Sequence, residues 1–365
     1  MKKLLILLLL LTAPAFAAEI HVDPTAGDDG AGTGAIGAPY LTLEVAMGDV
    51  SGGGNTIFLK NNGSHTDQDA ASGASMVIDV AGTSANYNRL KGYTSTVEDS
   101  GIATIDAADS LASCIISSAA FWKIENIRFE DGTGDNVSLG SIDNTIFTNC
   151  QFISAGSDGC QVDNNCTFIR CTFEDNTAYD ILADHTLKVS DSSFSNGGGG
   201  IWCDYACTLT GNWFHENAGY SIHTDQSQYG GNTIAYNTID GGNVANTYGL
   251  YMLDAVNNDG EIVGNVFYDL DDGIYYVGSN LKNKIGDVDY NWFNSCETPR
   301  TNVAAGTNDG TADPTFTAPD TEDYTLQAGS PLINAGPNKR CIGAYGYEAT
   351  GGGGAVQLVG GGLVQ

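Results

Sequence analysis

The sequence predicts an all-β protein, a single-stranded right-handed parallel β-helix (a solenoid) closed at its start by a capping helix. The first observation behind this is a short cassette that keeps returning: Arg128-Phe129, Cys150-Gln151-Phe152, Cys171-Thr172-Phe173, Ser193-Phe194, Asn212-Trp213-Phe214, Asn237-Thr238-Ile239, Asn265-Val266-Phe267 and Asn291-Trp292-Phe293. From one closing Phe or Ile to the next the steps are 23, 21, 21, 20, 25, 28 and 26 residues, a period that belongs to stacked repeats. The second is that the residue five before each closing position is always apolar: Ile124, Phe147, Phe168, Val189, Leu209, Ile234, Ile262 and Val288. The third is composition. Glycine makes up 48 of 365 residues and charged residues only 16%, which implies turns every few residues and no long helices.

Met1-Lys2-Lys3, the apolar run Leu4 to Leu11 and the small-residue site Ala15-Phe16-Ala17 read as a bacterial secretory signal peptide over residues 1–17. The apolar run is too short for a membrane span, so no membrane insertion is expected after cleavage and the mature chain is placed outside the cell or at its surface. Residues 18–54 form an N-terminal segment in which Leu43, Ala46, Met47 and Val50 follow i, i+3, i+4, i+7, one amphipathic helix after Pro39. Such a helix is suited to cover the open first layer of a solenoid, whose bare strand edge invites aggregation. Residues 55–295 hold the coils. Short strands are expected at Thr56–Leu59, Met76–Ile78, Arg89–Lys91, Ala103–Ile105 and Cys114–Ile116, and the explicit repeat runs from Trp122. A closing segment follows over 296–347, then a Gly-rich flexible tail over 348–365.

A second strand is expected about eight residues after each closing position, with Cys160, Ile181, Ile201, Ile222, Leu250 and Ile274 pointing inward, and the remaining length leaves room for a third. The odd spacing between the apolar residue at −5 and the closing residue requires a bend. Asn212, Asn237, Asn265 and Asn291 at −2 are expected to make it, because Asn tolerates the left-handed conformation, with Gly211 and Gly264 beside them.

The formal charge of −30 becomes −32 once residues 1–17 are removed, leaving 12 basic against 44 acidic residues. That disfavours nucleic acid and anionic membranes as partners, and no nucleic-acid partner is expected. Nine cysteines is an odd number for an exported chain. Cys150 and Cys171 share one repeat position, and Cys166 and Cys207 share another with Leu187 between them, so they are read as small buried residues rather than staples. No C-x-x-C pair supports a zinc or redox site.

The succession Val22-Asp23-Pro24, the helix, Asn55 to Lys60, Arg89 to Tyr93, Ala103 to Asp106 and Trp122 to Phe129 resembles the opening of pectate-lyase-like right-handed β-helix proteins, closest in style to the alginate lyase and chondroitinase B group. Asp313-Pro314-Thr315-Phe316, Asp323 to Leu326, Gly329 to Gly336 and Ile342 to Tyr345 are similar to the closing segment of secreted bacterial β-helix proteins. The resemblance implies the fold and is a poor guide to activity. It does not carry over that group's catalytic residues, a Lys in a Lys-Ser context and an Arg in an Arg-His-Gly context. Lys188 here lies in Leu187-Lys188-Val189, and the next coil reads Ile201-Trp202-Cys203-Asp204. The Gly-His-Gly and Arg-x-Lys elements of polygalacturonases are also missing.

Two columns on the second strand could carry chemistry. Asp163, Asp184, Asp204 and Asp225 lie three residues after the inward position on four consecutive coils, a ladder of carboxylates about 4.8 Å apart. It is read as a calcium site (Asp163, Asp184, Asp204), as acid–base pairs for hydrolysis (Asp184, Asp204, Asp225), or as turn-forming residues at strand ends. One residue after the inward position come Leu182, Trp202, His223, Tyr251 and Tyr275. Facing outward, Trp202, His223, Tyr251 and Tyr275 would offer aromatic surface to sugar rings; the plainer reading is strand residues chosen for cross-strand stacking. The functional expectation is an exported monomer that binds, and in one reading cleaves, a polysaccharide or cell-surface glycan along this face. The alternative is a non-catalytic adhesive or structural scaffold.

Overall fold

The computed structural model describes residues 17–66, 73–140, 144–226, 231–242, 244–255, 258–278, 285–321 and 323–344. The segment expected to be a signal peptide, apart from Ala17, and the Gly-rich segment 348–365 lie outside these described residues. Three parallel sheets run the length of the molecule. Sheet 1 has eleven strands, from Glu19–Val22 to Ile285–Asp289; sheet 2 has ten, from Ser64–His65 to Trp292–Asn294; sheet 3 has ten, from Ala74–Ile78 to Thr298–Thr301. The chain visits sheets 1, 2 and 3 in turn on each coil, so the third strand that the repeat length left room for is present.

Inside, like residues stack on like. On sheet 2 the rings of Phe152 and Phe173 lie 4.5 Å apart, Phe173 and Phe194 4.8 Å, and Phe194 and Phe214 4.6 Å, all within 10° of parallel. Phe147 and Phe168 do the same on sheet 1 at 4.8 Å. A coil has no inner layer of its own, and each ring buries its faces only against the coils above and below. The inward column of sheet 3 is in register from Cys160 through Ile181, Ile201, Ile222 and Leu250 to Ile274, as its spacing predicts.

The helix is Leu43–Gly48; Thr42 caps its start by accepting a hydrogen bond from the Val45 amide, and it ends at Asp49, short of Val50. Leu43, Ala46, Met47 and Val50 are buried. The helix packs on Glu19–Val22 and Ala74–Ile78, the end strands of sheets 1 and 3, which is where a cap is needed.

The corner between sheets 1 and 2 corrects the role expected of the asparagines. The left-handed residue is the one before them: Asn126, Asn149, Arg170, Asp191, Gly211, Tyr236, Gly264 and Tyr290 all have φ between 50° and 70°. Asn212, Asn237, Asn265 and Asn291 instead point inward, fully buried, and form a ladder. Asn237 Oδ1 accepts from the Asn212 amide at 2.9 Å, while Asn237 Nδ2 donates to Leu209 O at 2.9 Å and to Asn265 Oδ1 at 2.9 Å. The ladder extends to Ser192 and Cys171 on one side and to Asp309 on the other. Turning the chain into sheet 2 leaves the amide at this position without a strand partner, and the side chain of the next coil supplies one.

None of the nine cysteines is bonded to another; seven are buried, Cys296 and Cys341 half-buried. Burial pushes the Cys150 and Cys160 thiols well above the usual range, which leaves them inert core residues. The closing segment folds back on the outer side of sheet 2. There Phe316, Tyr324, Leu326, Leu332 and Ile342 cover Trp213 and Val266, so the Trp of the Asn-Trp-Phe cassette is buried from outside the coil. No helix among the described residues is long and apolar enough to cross a membrane.

Candidate functional site

Sheet 3 brings both sequence columns to one side. Gln161, Leu182, Trp202, His223, Tyr251 and Tyr275 are consecutive partners across its strands. A second set of rings, which sequence reasoning missed, lies beside them three residues earlier: Tyr179, Tyr220 and Tyr248. Simple alternation would place these residues inside with the column two positions on. Two consecutive buried positions intervene instead, namely Asp180-Ile181, Gly200-Ile201, Ser221-Ile222, Gly249-Leu250 and Gly273-Ile274. A Cβ on Gly200 would lie 2.3 Å from Ser221 O and 2.9 Å from the Phe214 ring; one on Gly249 would lie 2.6 Å from the Phe267 ring. The backbone is pressed onto the phenylalanine stack there, and Tyr248, the residue before Gly249, is turned outward. Gly249 was the available signal for it; Tyr179 and Tyr220 precede Asp180 and Ser221 and carried none.

The seven rings form one surface over five coils, roughly 19 Å at about 4.8 Å per coil. Trp202 packs on Tyr179 at 5.2 Å and on His223 at 4.9 Å; Tyr220 touches His223, Tyr248 and Tyr251 at 5.0, 5.2 and 4.5 Å; Tyr251 and Tyr275 stack at 5.2 Å and 5°. At such separations parallel rings are offset, overlapping as tiles do. Cross-strand stacking is therefore real, and it builds a continuous half-exposed aromatic surface. His223 corrects the expectation of exposure: it keeps its register but is only 6% exposed, because Trp202, Tyr220 and Tyr251 close over it. Neither of its ring nitrogens has a hydrogen-bond partner among the described residues, and burial holds its pKa below the ordinary value against the pull of Asp225.

The Asp ladder borders these rings at the strand ends. Asp184 is exposed; Asp163, Asp204 and Asp225 are half-buried. Asp163 lies against His185 Nδ1, and Asp204 Oδ1 accepts a 2.8 Å hydrogen bond from Trp202 Nε1. Partial burial raises the Asp204 pKa first, and the neighbouring charges of Asp225 and Asp184 raise it further, against the Trp202 hydrogen bond. No group of three or more His, Cys, Asp or Glu among the described residues is arranged to hold a metal ion. At the other end of the strands, Asp158 and Asp180 are buried. Asp158 is pushed up to about 6 by burial, and Asp180, whose Oδ1 accepts from Asn176 Nδ2, is raised well above the usual carboxylate range.

A second feature, invisible in the sequence, is a polar cavity of about 410 Å³ under the closing segment, lined in part by His215, Glu216, Asp240, Tyr268, Asp269 and Asp320. Asp240 is committed there to holding the segment: Oδ2 accepts from the Tyr324 hydroxyl and Oδ1 from the Gly242 amide at 2.8 Å.

Coil, corner and cap together define a right-handed parallel β-helix. The family model described as "Right handed beta helix region" matches residues 113–254. Among solved structures the chain is similar to pectate lyase Pel9A, at 13% identity over 91% of this chain and 98% of that one with a TM-score of 0.57. It is also similar to a rhamnogalacturonan lyase, at 11% identity over 82% and 91% with a TM-score of 0.51. At such identities the likeness is one of fold. No curated protein matches the chain by sequence.

Proposed function

We propose that this is an exported glycan-binding β-helix that takes a polysaccharide along the sheet 3 face. The observation that carries the reading is the unbroken surface of seven rings, Tyr179, Trp202, Tyr220, His223, Tyr248, Tyr251 and Tyr275, bordered by carboxylates. Half-exposed aromatic rings spread over five coils suit the apolar faces and hydroxyls of an extended sugar chain better than a compact ligand.

One observation favours hydrolysis as a second reading. Partial burial and the charges of Asp225 and Asp184 raise the Asp204 pKa, the direction that suits a general acid. At one coil spacing, about 4.8 Å, the ladder is close to the separation of about 5–5.5 Å between the two carboxyls of retaining glycosidases. Asp204 would give its proton to the glycosidic oxygen while a neighbour attacks the anomeric carbon, water later releasing the sugar.

A glycan array and a reducing-sugar assay, each with and without calcium, test both readings. Binding lost in Trp202→Ala supports the aromatic face. Release of reducing ends lost in Asp204→Asn, with binding kept, supports hydrolysis. No binding, no turnover and no calcium effect would leave the rigid scaffold.

A further inference from the structure

We propose that the glycan taken by this face is an uncharged polysaccharide and not a polyuronate; the inference rests on the glycan-binding reading above. The charge distribution carries it. From Cys160–Val162 to Asp272–Tyr276 the six sheet 3 strands contain not one Lys or Arg. The next strand, Thr298–Thr301, has Arg300, which is bound to Asp309 and lies with its guanidinium carbon 4.0 Å from the centre of the Phe293 ring. Other cations of the coils are also committed away from this face: Arg89 and Lys91 to Glu98 and Glu125, Arg128 to Glu130. The imidazole at the centre of the rings, His223, is held neutral by its burial.

Acidic groups meanwhile flank the rings on both sides, Asp184, Asp204 and Asp225 at one end of the strands and Asp271 and Asp272 at the other. A uronate in every sugar would sit within a Debye length of about 8 Å of several of these carboxylates with no Lys or Arg on these strands to offset them. Each contact would cost binding, and the cost would accumulate along the chain.

What the face does offer is neutral. Five tyrosine hydroxyls and the two buried, unpartnered nitrogens of His223 are donors and acceptors suited to sugar hydroxyls, while Trp202, whose Nε1–H is given to Asp204, offers the face of its indole. The nitrogens lie under Trp202, Tyr220 and Tyr251, so a hydroxyl reaches them only when these rings part. A buried polar atom left unpaired is unfavourable, and a ligand hydroxyl that pairs it gains what the free protein forgoes.

Affinity electrophoresis of the full chain tests this, in gels containing xyloglucan, galactomannan or mixed-linkage β-glucan (uncharged), polygalacturonate or alginate (anionic, with and without calcium) and chitosan (cationic). The expected result is retardation in at least one uncharged gel, reduced at least tenfold in apparent affinity by Trp202→Ala and by Tyr275→Ala, with no retardation in the anionic gels. The Asp184→Lys/Asp225→Lys double variant is expected to gain retardation in polygalacturonate. Tyr275→Ala lies at the open end of the stack and guards against a Trp202→Ala variant that fails to fold; far-ultraviolet circular dichroism monitors both. Retardation by a polyuronate or by chitosan that Trp202→Ala abolishes overturns the uncharged class and leaves the glycan-binding face standing. Retardation in no gel overturns both.

Discussion

The indole of Trp202 covers the imidazole of His223 from one coil away, ring centres 4.9 Å apart and planes 24° from parallel. The pair shows how stacking and electrostatics are joined in this fold. Coil stacking brings an aromatic over the imidazole, and the resulting burial keeps the imidazole uncharged.

That burial fixes the sign of a pH effect. A histidine whose folded pKa is lowered contributes stability that is present above about 6.5 and lost as pH falls below it. His223 is such a group, and so is His65, pushed down to about 4 by burial. Relative to wild type, His223→Leu is expected to gain stability as pH falls from 7.5 to 5, read from melting temperatures across that range. A difference that does not change with pH contradicts the buried neutral imidazole.

Asp180 acts in the opposite direction. Its folded pKa is raised by burial, so its contribution is complete below about 3.8 and is lost as pH rises toward the folded value. Asp158 loses its share between about 3.8 and about 6. Asp180→Asn removes the titration. Its stability relative to wild type is expected to rise between pH 4 and pH 7 in urea unfolding. A flat difference would mean that Asp180 is not buried as a neutral acid.

The asparagine ladder sets a mechanical expectation. Asn237→Ala takes away bonds to Asn212, Leu209 and Asn265 and leaves buried groups without partners. The cost is roughly 3–5 kcal/mol. Asn237→Asp should also destabilise, since a carboxylate cannot donate to Leu209 O. Denaturant unfolding of both against an exposed Asn61→Ala control measures this, and a loss below about 1 kcal/mol for Asn237→Ala would show that the ladder is incidental.

The cysteines give a simple check. With seven thiols buried and none bonded, the melting temperature should be the same with and without reductant, and thiol reagents should label only Cys296 and Cys341 in the native state. A fall in melting temperature on reduction would reveal a disulfide between neighbouring coils, such as Cys150–Cys171.

Much of this was legible in the sequence, because a solenoid writes its structure as columns. Phe152, Phe173, Phe194 and Phe214 stack one coil apart, and so do Ile181, Ile201 and Ile222. The outward placement of Trp202, Tyr251 and Tyr275 followed from the same periodicity. What failed did so where local geometry departs from alternation. The left-handed residue precedes the asparagine, since the asparagine is needed inside to satisfy the corner amide. Tyr179, Tyr220 and Tyr248 are turned outward by a doubled inward step taken at Asp180-Ile181, Ser221-Ile222 and Gly249-Leu250. The cavity beside His215 and Asp240 needs Asp320 and Tyr324 from the far end of the chain, a contact across 84 residues that no column records.

The most direct test of the central claim is where the glycan lies. Hydroxyl-radical footprinting of the full chain, with and without the glycan that retards it best, is expected to protect Tyr251 and Tyr275 strongly and to leave Tyr87, on the far side of the coils, unchanged. Protection confined to Tyr268 and the closing segment, or no protection on the sheet 3 tyrosines at saturating glycan, would contradict the assignment of this face.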